Sequence, residues 1–550
     1  MDENEISIIR SKDFANVSEI LEKFIKNNET NFSFPYLSEN NMRVSLWAAL
    51  FEQLQDKSAE IIHISCLTTL RILSRDKSEV ENLICEKWMI TLIEKAGLYI
   101  FIDVTDDVKE NLPSKDIAVE ALKCLCNITF NSEVARALCA HTSIAQGLVA
   151  RLRSYSEIPY KEDIMLFDMK LLFILTALRQ NIRAKIKNEL HGMIYLINCL
   201  NELVSEATEH RIEASNVLYC LLIKNIFNDC TRQEAIVCEI LKTQFNMMYH
   251  TGPDEPLSAE EEALVLKLMP ILTALLTAET TTWDKLTELH INIANLLTCV
   301  PAEFYQYLTP ECSEDESLQY VYDGKNMEAL HALLQLLQHR LTVTTGTNNE
   351  YENLSPILTV LNKSARNVRA HRKYLRQTVL PPLKDVSLPP EKGNTLRNQL
   401  CRLLTTPVTS VRDLVAEFLF ILCKEKVGRM VKYTGFGNAA GHLAQKGLMC
   451  GGRGPIQYSS SSEDSDTEEY LEAQPHIDPV VGCTRPPRVD PFESMTEEQK
   501  EHEAMKLVNL FDKMLSEGVV KPATIGPDGK PKPLEHVLEM RENPPNRPQS

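Results

Sequence analysis

Apolar residues recur every three to four positions along most of the first 430 residues. The stretches "LTTLRILSRDK", "AVEALKCLCNITF", "MLFDMKLLFILTALRQNI", "EASNVLYCLLIKNIF", "LHINIANLLTCV", "NMEALHALLQLLQHRL" and "VRDLVAEFLFILCKEK" all follow this spacing. Each predicts an amphipathic helix with one buried stripe. In the last of them Val411, Leu414, Val415, Phe418, Leu419 and Leu422 share that stripe. Alternating patterns that would predict strands are nearly absent. The segments between helices carry Gly, Pro, Asn and Asp, as in "HTGPDEP" at 250–256 and "TGTNNEYEN" at 345–353.

A sub-pattern, A/L-x-x-L-x-N, recurs around Asn127, Asn225 and Asn295, each late in a strongly apolar helix. This is the pattern of armadillo/HEAT repeats, and roughly nine or ten such units would fill residues 1–430. The predicted fold is therefore an all-α, armadillo/HEAT-like superhelical solenoid. Beyond it the expected organisation is a Gly-rich joint over 431–455 and an acidic disordered linker over 456–494. An amphipathic helix over 495–516 and a disordered tail over 517–550 complete it. Thirteen of the 27 prolines fall in the last hundred residues. The tail helix is marked by a capping box, Thr496 with Gln499, and by an apolar stripe through Ala504, Leu507, Val508, Phe511, Met514 and Leu515.

Charge narrows the function. A net charge of −18 argues against nucleic acid or an anionic membrane as the main partner, although a local basic patch could still hold an acidic group. No secretory signal is expected at the acidic N-terminus, and no run reaches the length of a bilayer-spanning helix. Fifteen cysteines sit mostly among aliphatics, as reduced cytosolic thiols do, and only Cys124 and Cys126 form a C-x-C pair. Neither a metal nor any other cofactor is expected. The chain reads as a cytoplasmic monomer, open to recruitment to the cell cortex.

Four stretches could carry chemistry. Gly435, Gly437 and Ala440 formally fit the dinucleotide fingerprint G-x-G-x-x-G/A, but a helical pattern precedes them and no acid lies between Glu425 and Glu463. These glycines read instead as helix breaks. In "NKSARNVRAHRKYLRQ" the residues Arg366, Arg369, Lys373 and Arg376 are expected on one helix face, with Arg372 beside them. That face is either solvated and salt-bridged or a cationic rim for a partner's carboxylates. Asn127, Asn225 and Asn295 either pair with a bound peptide backbone or cap neighbouring turns. Ser460, Ser461 and Ser465 each have an acid three residues on, the preference of an acid-directed kinase such as casein kinase 2. No hydrolytic constellation emerges from the thirteen histidines.

Several blocks together resemble the synembryn family. They are "LRILSRDK" (70–77), "EALKCLCN" (120–127), "FDMKLLFILTALR" (167–179), "VLPPLKDV" (379–386), "AEFLFILCKEKV" (416–427), "KYTGFGNAAG" (432–441), "DTEEY" (466–470) and "MTEEQKEHEAMKLVNLFDK" (495–513). The family consists of cytosolic chaperones and guanine-nucleotide exchange factors for heterotrimeric G protein α subunits. The resemblance implies a superhelix whose concave face holds the C-terminal helix of Gα. Arg71, Arg75, Asn127, Phe167 and Asp168 would contact it, with Arg366, Arg369, Arg372 and Lys373 of the basic helix completing the groove. Leu507, Val508 and Phe511 of the tail helix would reach the nucleotide-binding domain of Gα. Ser460 and Ser465 match the family's phosphorylation positions. Lys170 stands where the family usually has Arg, and Ser461 and Ser462 stand where it has acids.

The implied activity couples two equilibria. Drawing the terminal helix of Gα away from its own core lowers GDP affinity, and GTP binding in turn releases the complex. An alternative from another class is a passive armadillo adaptor that binds peptides without accelerating nucleotide release. A third is a regulator that binds a nucleotide itself through the glycine loop.

Overall fold

A computed structural model of the chain describes residues 1–38, 41–78, 80–99, 113–158, 161–212, 231–249, 257–278, 280, 282–312, 318–343, 353–456, 458, 466–484, 495–519, 521 and 523–533. The chain divides into two units, one holding residues 1–308, the other residues 309–314 with 318–550.

In the first unit five helices form a ladder. These are α1 (His63–Leu73), α2 (Lys115–Asn131), α3 (Lys161–Leu178), α4 (Thr231–Met248) and α5 (Trp283–Cys299), each packed on the next. A second row, Ile144–Arg153, Gly192–Ile212 and Ala259–Leu276, stacks in the same successive way. Two rows of helices that contact mainly their sequence neighbours make an all-α, armadillo-like solenoid. The apolar run "LLFILTAL" is explained by its place in α3. A helix flanked by α2 on one side and α4 on the other must be apolar on both, and Leu171, Leu172 and Leu175 are fully buried.

The late-helix asparagine has a structural use. The Asn127 carboxamide donates 3.2 Å to the Arg71 carbonyl and 3.2 Å to Ser74 Oγ, so it satisfies the C-terminal end of the preceding rung. Asn246 repeats the device one step along, donating 3.3 Å to the Phe173 carbonyl and 3.1 Å to Thr176 Oγ1. The repeat pattern pointed to Asn225 instead, which lies outside the described residues. Asn295 is half-buried.

The second unit contains α6 (Ser355–Asn367), α7 (Arg369–Val379), α8 (Thr409–Leu422), α9 (Val427–Thr434) and α10 (Phe436–Lys446). The α6 helix packs on α7 and α8, and α8 packs on α9 and α10. Buried His371 ties α7 to its surroundings, with one ring nitrogen 2.7 Å from Ser364 Oγ and the other 2.6 Å from Thr309 Oγ1. A small hairpin, β1 (Val321–Tyr322) with β2 (Lys325–Asn326), precedes these helices.

The expected tail organisation needs correcting in three places. Residues 431–455 are not mainly a joint, because α9 and α10 occupy much of that range and break at Gly435. Within 456–494, residues 466–484 are folded as α11 (Glu468–Ala473) and a hairpin of β3 (Ile477–Asp478) with β4 (Cys483–Thr484). Tyr470 and Cys483 are buried there, and the Thr484 amide donates 2.9 Å to the Val386 carbonyl. Beyond 517, β5 (Ala523–Ile525) pairs with β6 (Pro531–Pro533). Low-complexity composition hid these short elements, because their order depends on distant contacts. The predicted tail helix is present as α12 (Glu497–Ser516), with the Thr496–Gln499 capping box formed.

Candidate partner-binding surfaces

In the first unit, charged and aromatic side chains run from rung to rung. Arg71 on α1 pairs with Glu120 on α2 at 2.7 Å, and Lys123 donates to the same carboxylate at 2.7 Å. Burial alone would raise the Glu120 pKa, but the bonds from Lys123 and Arg71 outweigh it and hold the carboxyl below its ordinary range. The half-buried Phe167 ring on α3 has two ammonium groups near it, Lys123 at 5.2 Å and Lys170 at 5.3 Å from its centre. Arg75 donates 2.6 Å to the Glu29 carbonyl and lies 5.4 Å over the exposed Phe32 ring. The structure thus brings Arg71, Asn127 and Phe167 together on consecutive rungs.

The same row continues where sequence reasoning stopped. Lys242 on α4 lies 5.9 Å from the Phe173 ring and bridges Glu239 at 3.2 Å and Glu288 at 3.6 Å. Phe167 and Phe173 sit in one helix with a lysine against each ring. An aromatic with lysines on neighbouring helices was the available signal, but it needs the helix pairing to be known.

Asp168 belongs elsewhere, and this corrects its assignment to the partner contact. It is completely buried, its carboxylate gripped by two nitrogens of Arg151 and by the Tyr155 hydroxyl at 2.7 Å. Arg151 also donates 2.7 Å to the Ala96 carbonyl. Burial pulls the Asp168 carboxyl upward while the guanidinium holds it back. The group is an internal staple.

The basic segment of the second unit is also corrected. Val368 is extended, with φ −111° and ψ 115°, so Arg366 ends α6 while Arg369, Arg372, Lys373 and Arg376 belong to α7. A β-branched residue between two short helices carries no Gly or Pro signal, which is why the segment reads as one helix. Arg366 pairs with Glu417 and approaches Glu425 at 3.6 Å. Arg372 is buried, donating 3.0 Å to the Ala365 carbonyl and closing the C-terminus of α6. It therefore serves the fold, and the expectation of a surface contact for it is withdrawn. Arg376 donates 3.0 Å to the Tyr433 hydroxyl. Arg369, Arg372, Lys373, Arg376 and Lys424 line one pocket.

The glycine stretch holds its own chain where a phosphate would sit. At the N-terminus of α10 the Phe436 amide donates 2.9 Å to the Pro479 carbonyl, and the Gly437 amide 2.8 Å to the Val480 carbonyl. Gly435, at φ 74°, lets the 481–482 backbone approach so closely that a Cβ would lie 2.9 Å from the Val481 oxygen. The donors a dinucleotide needs are already used. Among the described residues no His, Cys, Asp and Glu group could hold a metal ion, and no helix is long and apolar enough to cross a membrane.

The α12 helix presents the opposite situation. None of its residues is buried, and Leu507, Val508 and Phe511 are 58%, 57% and 49% exposed. Ser460 and Ser465 lie outside the described residues.

Known proteins resemble this chain over nearly its whole length. The family described as guanine nucleotide exchange factor synembryn matches residues 66–530. The Chaperone Ric-8A of Danio rerio is 39% identical over 95% of this chain and 94% of its own length. The Chaperone Ric-8A of Gallus gallus is 38% identical over 97% and 96%. The Chaperone Ric-8 of Drosophila pseudoobscura pseudoobscura is 35% identical over 100% and 99%. Among solved structures, a chain from a study of the interaction between cadherin and beta-catenin has a TM-score of 0.42 at 10% identity, covering 82% of this chain and 69% of that one. With ordered helices, matched blocks and full-length identity in agreement, the chain belongs to the synembryn family of guanine nucleotide exchange factors.

Proposed function

We propose that this protein is a chaperone and exchange factor for heterotrimeric G protein α subunits. It receives the C-terminal helix of Gα on the α1–α3 face, around Arg71, Arg75, Asn127 and Phe167. The uncovered stripe of α12, Leu507, Val508 and Phe511, takes the nucleotide-binding domain. Removing the terminal helix from the core of Gα loosens the guanine site, so GDP leaves, and the nucleotide-free form stays bound until GTP enters. The shift can be no larger than the difference in affinity for the two forms of Gα.

The observation that carries this reading is α12, an amphipathic helix whose apolar face no described residue covers. Such a face calls for a partner with a complementary groove or surface. The decisive experiment compares GDP release from purified Gα with release from Gα lacking its last dozen residues. Acceleration should require both the intact Gα terminus and α12. Undiminished binding and exchange with truncated Gα would remove the reading, and binding without acceleration would favour a passive adaptor.

The serine tract has a regulatory place in the same reading. An acid-directed kinase such as casein kinase 2 phosphorylates Ser460 and Ser465, and the added charge holds the tract against Arg369 and Lys373 and strengthens the Gα complex. This is supported by the residues on either side of the tract: Tyr458 packs on Arg372, and Asp466 pairs with Lys432.

A further inference from the structure

At the end of α10 one glycine meets another. Gly447 caps the helix in the left-handed region, at φ 70° and ψ 31°, and the amides of Gly447 and Leu448 close back on the carbonyls of Ala444 and Leu443. This helix end is well held: Leu443 is fully buried, and Lys446 pairs with Glu417 of α8 at 2.9 Å. The turn of the β5–β6 hairpin seats on it. The Met449 amide donates 3.3 Å to the Gly529 carbonyl. A Cβ on Gly447 would lie 2.9 Å from the Asp528 carbonyl oxygen, and one on Gly529 would overlap the Gly447 carbonyl. Two bare backbones, far apart in sequence, thus touch.

The hairpin closes its own turn. The Gly526 amide donates 2.9 Å to the Lys530 carbonyl, the Gly529 amide donates 2.9 Å to the Gly526 carbonyl, and the Lys530 amide donates 3.3 Å to the Asp528 carboxylate. β5 and β6 are exposed along their length, whereas Gly526 and Gly529 are buried. A hairpin with wet strands and a covered turn is attached by its tip. Two-stranded hairpins are marginal alone in water, so the contact at the turn helps to hold this one.

The place of this contact along the chain gives it a use. α12 ends at Ser516 and β5 begins at Ala523, a span that extended chain covers in at most about 25 Å. On its other side α12 leads back to Thr484, whose amide donates 2.9 Å to the Val386 carbonyl. We propose that the β5–β6 hairpin is a latch that docks on Gly447 and, from the C-terminal end of α12, positions the apolar stripe for its partner. The inference rests on the reading above that α12 binds Gα, and names what aims the helix. Leu507, Val508 and Phe511 stay exposed while the hairpin is docked, so the latch presents the stripe and does not mask it. A helix tethered at both ends samples fewer orientations than one tethered at a single end. Less freedom is then lost on binding, and the effective concentration of the stripe rises. An amide bond such as that from Met449 to Gly529 shifts an equilibrium by about two- to tenfold, which makes the latch easy to open.

The test uses the full-length protein with Gly529→Asn, with residues 523–533 excised, and with each change combined with Leu507→Asp and Phe511→Asp. Asparagine tolerates the left-handed turn, so Gly529→Asn chiefly adds a Cβ where the Gly447 carbonyl lies. Two quantities are read, hydrogen exchange of the Met449 amide and affinity for Gα. Exchange at Met449 should quicken by about two- to tenfold in Gly529→Asn and in the excised chain, with melting unchanged. Gα affinity should fall by a similar factor in both, and neither change should weaken binding further once Leu507 and Phe511 are replaced. Excision that leaves Met449 exchange at the wild-type rate overturns the docking. Faster exchange with wild-type affinity, in a protein that the Leu507 and Phe511 substitutions do weaken, overturns the positioning role, as does a further loss on excision in that double variant. If the Leu507 and Phe511 substitutions leave Gα affinity untouched, the reading of α12 has failed and the positioning role falls with it, while Met449 exchange still reports whether the turn docks.

Discussion

Replacing Asp168 by Ala separates two readings of one residue. Taken from its motif, Asp168 is a contact for the partner; taken from its surroundings, it is the carboxylate that a buried arginine grips. The carboxylate is gripped by Arg151 and Tyr155 and is 0% exposed, and Arg151 itself is 1% exposed. Truncation leaves a guanidinium out of water without its carboxylate, the Ala96 carbonyl remaining among its partners. Breaking such a pair from one side costs roughly 3–5 kcal/mol. Replacing both partners, as Arg151→Met with Asp168→Ala, removes the stranded charge and should recover much of that loss. The assay is hydrogen exchange over residues 144–178 with urea denaturation, since two units need not melt together. The single variant should exchange faster by two or more orders of magnitude, because about 1.4 kcal/mol is a tenfold factor. Gα affinity should fall only in proportion to unfolding. An Asp168→Ala protein that is as stable as the wild type yet loses Gα would refute the argument and restore the surface contact.

Other expectations are quicker to state. Leu507→Asp with Phe511→Asp alters exposed side chains, so melting should move by less than about 0.5 kcal/mol while exchange activity on Gα drops at least about tenfold. Phe167→Ala removes the ring shared by Lys123 and Lys170 and should weaken binding of a peptide copying the Gα terminus by about 1–2 kcal/mol in calorimetry, with little loss of stability. Gly435→Ala forces a side chain into a φ of 74° and against the Val481 carbonyl, so the Phe436 and Gly437 amides should lose exchange protection. His371 is pushed down to about 3 by burial, with the nearby Lys325 adding to the shift. Its folded form is therefore neutral, and stability present above the unfolded value of about 6.5 should be lost as pH falls from there toward 3, at up to about 1.4 kcal/mol per unit. His371→Gln should flatten that slope, and an unchanged slope would remove the assignment.

Much of the helical fold was legible because buried stripes repeat at the helix period, and the tail helix announced both its cap and its apolar face. The misreadings share a physical cause, which is that they turn on partners far along the chain. Asp168 looks like a surface acid until Arg151, seventeen residues earlier, is folded against it. Arg366 and Arg369 keep helical spacing across Val368, so periodicity could not reveal the break between α6 and α7. The β3–β4 hairpin has strands of two residues, too short for alternation to register, and owes its place to carbonyls that meet the start of α10. Among the candidate contact residues, Arg71, Asn127 and Phe167 were singled out through family blocks. Lys242 and Phe173 were not, since only the pairing of α3 with α4 joins them.

The two proposed contact regions differ in what each can contribute to holding a partner. Side chains on the ladder are already engaged: Arg71 with Glu120, Asn127 with the carbonyl of Arg71, Arg75 with that of Glu29. A carboxylate arriving there exchanges one ion pair for another, so the gain is modest, sensitive to salt and selective for shape. On α12 no described residue covers the apolar stripe. Covering Leu507, Val508, Leu510 and Phe511, each about half exposed, is worth roughly 1 kcal/mol per side chain or more. Part of this gain offsets the fixing of a helix that is marginal alone, its exposed Lys500–Glu497 and Lys506–Glu503 pairs adding only tenths each. Affinity should therefore depend mainly on α12 and discrimination on the ladder. On the proposed reading such a division suits a chaperone: a loosened Gα would still offer an apolar surface to α12, while only a chain with the correct terminal helix would displace the ladder's own ion pairs.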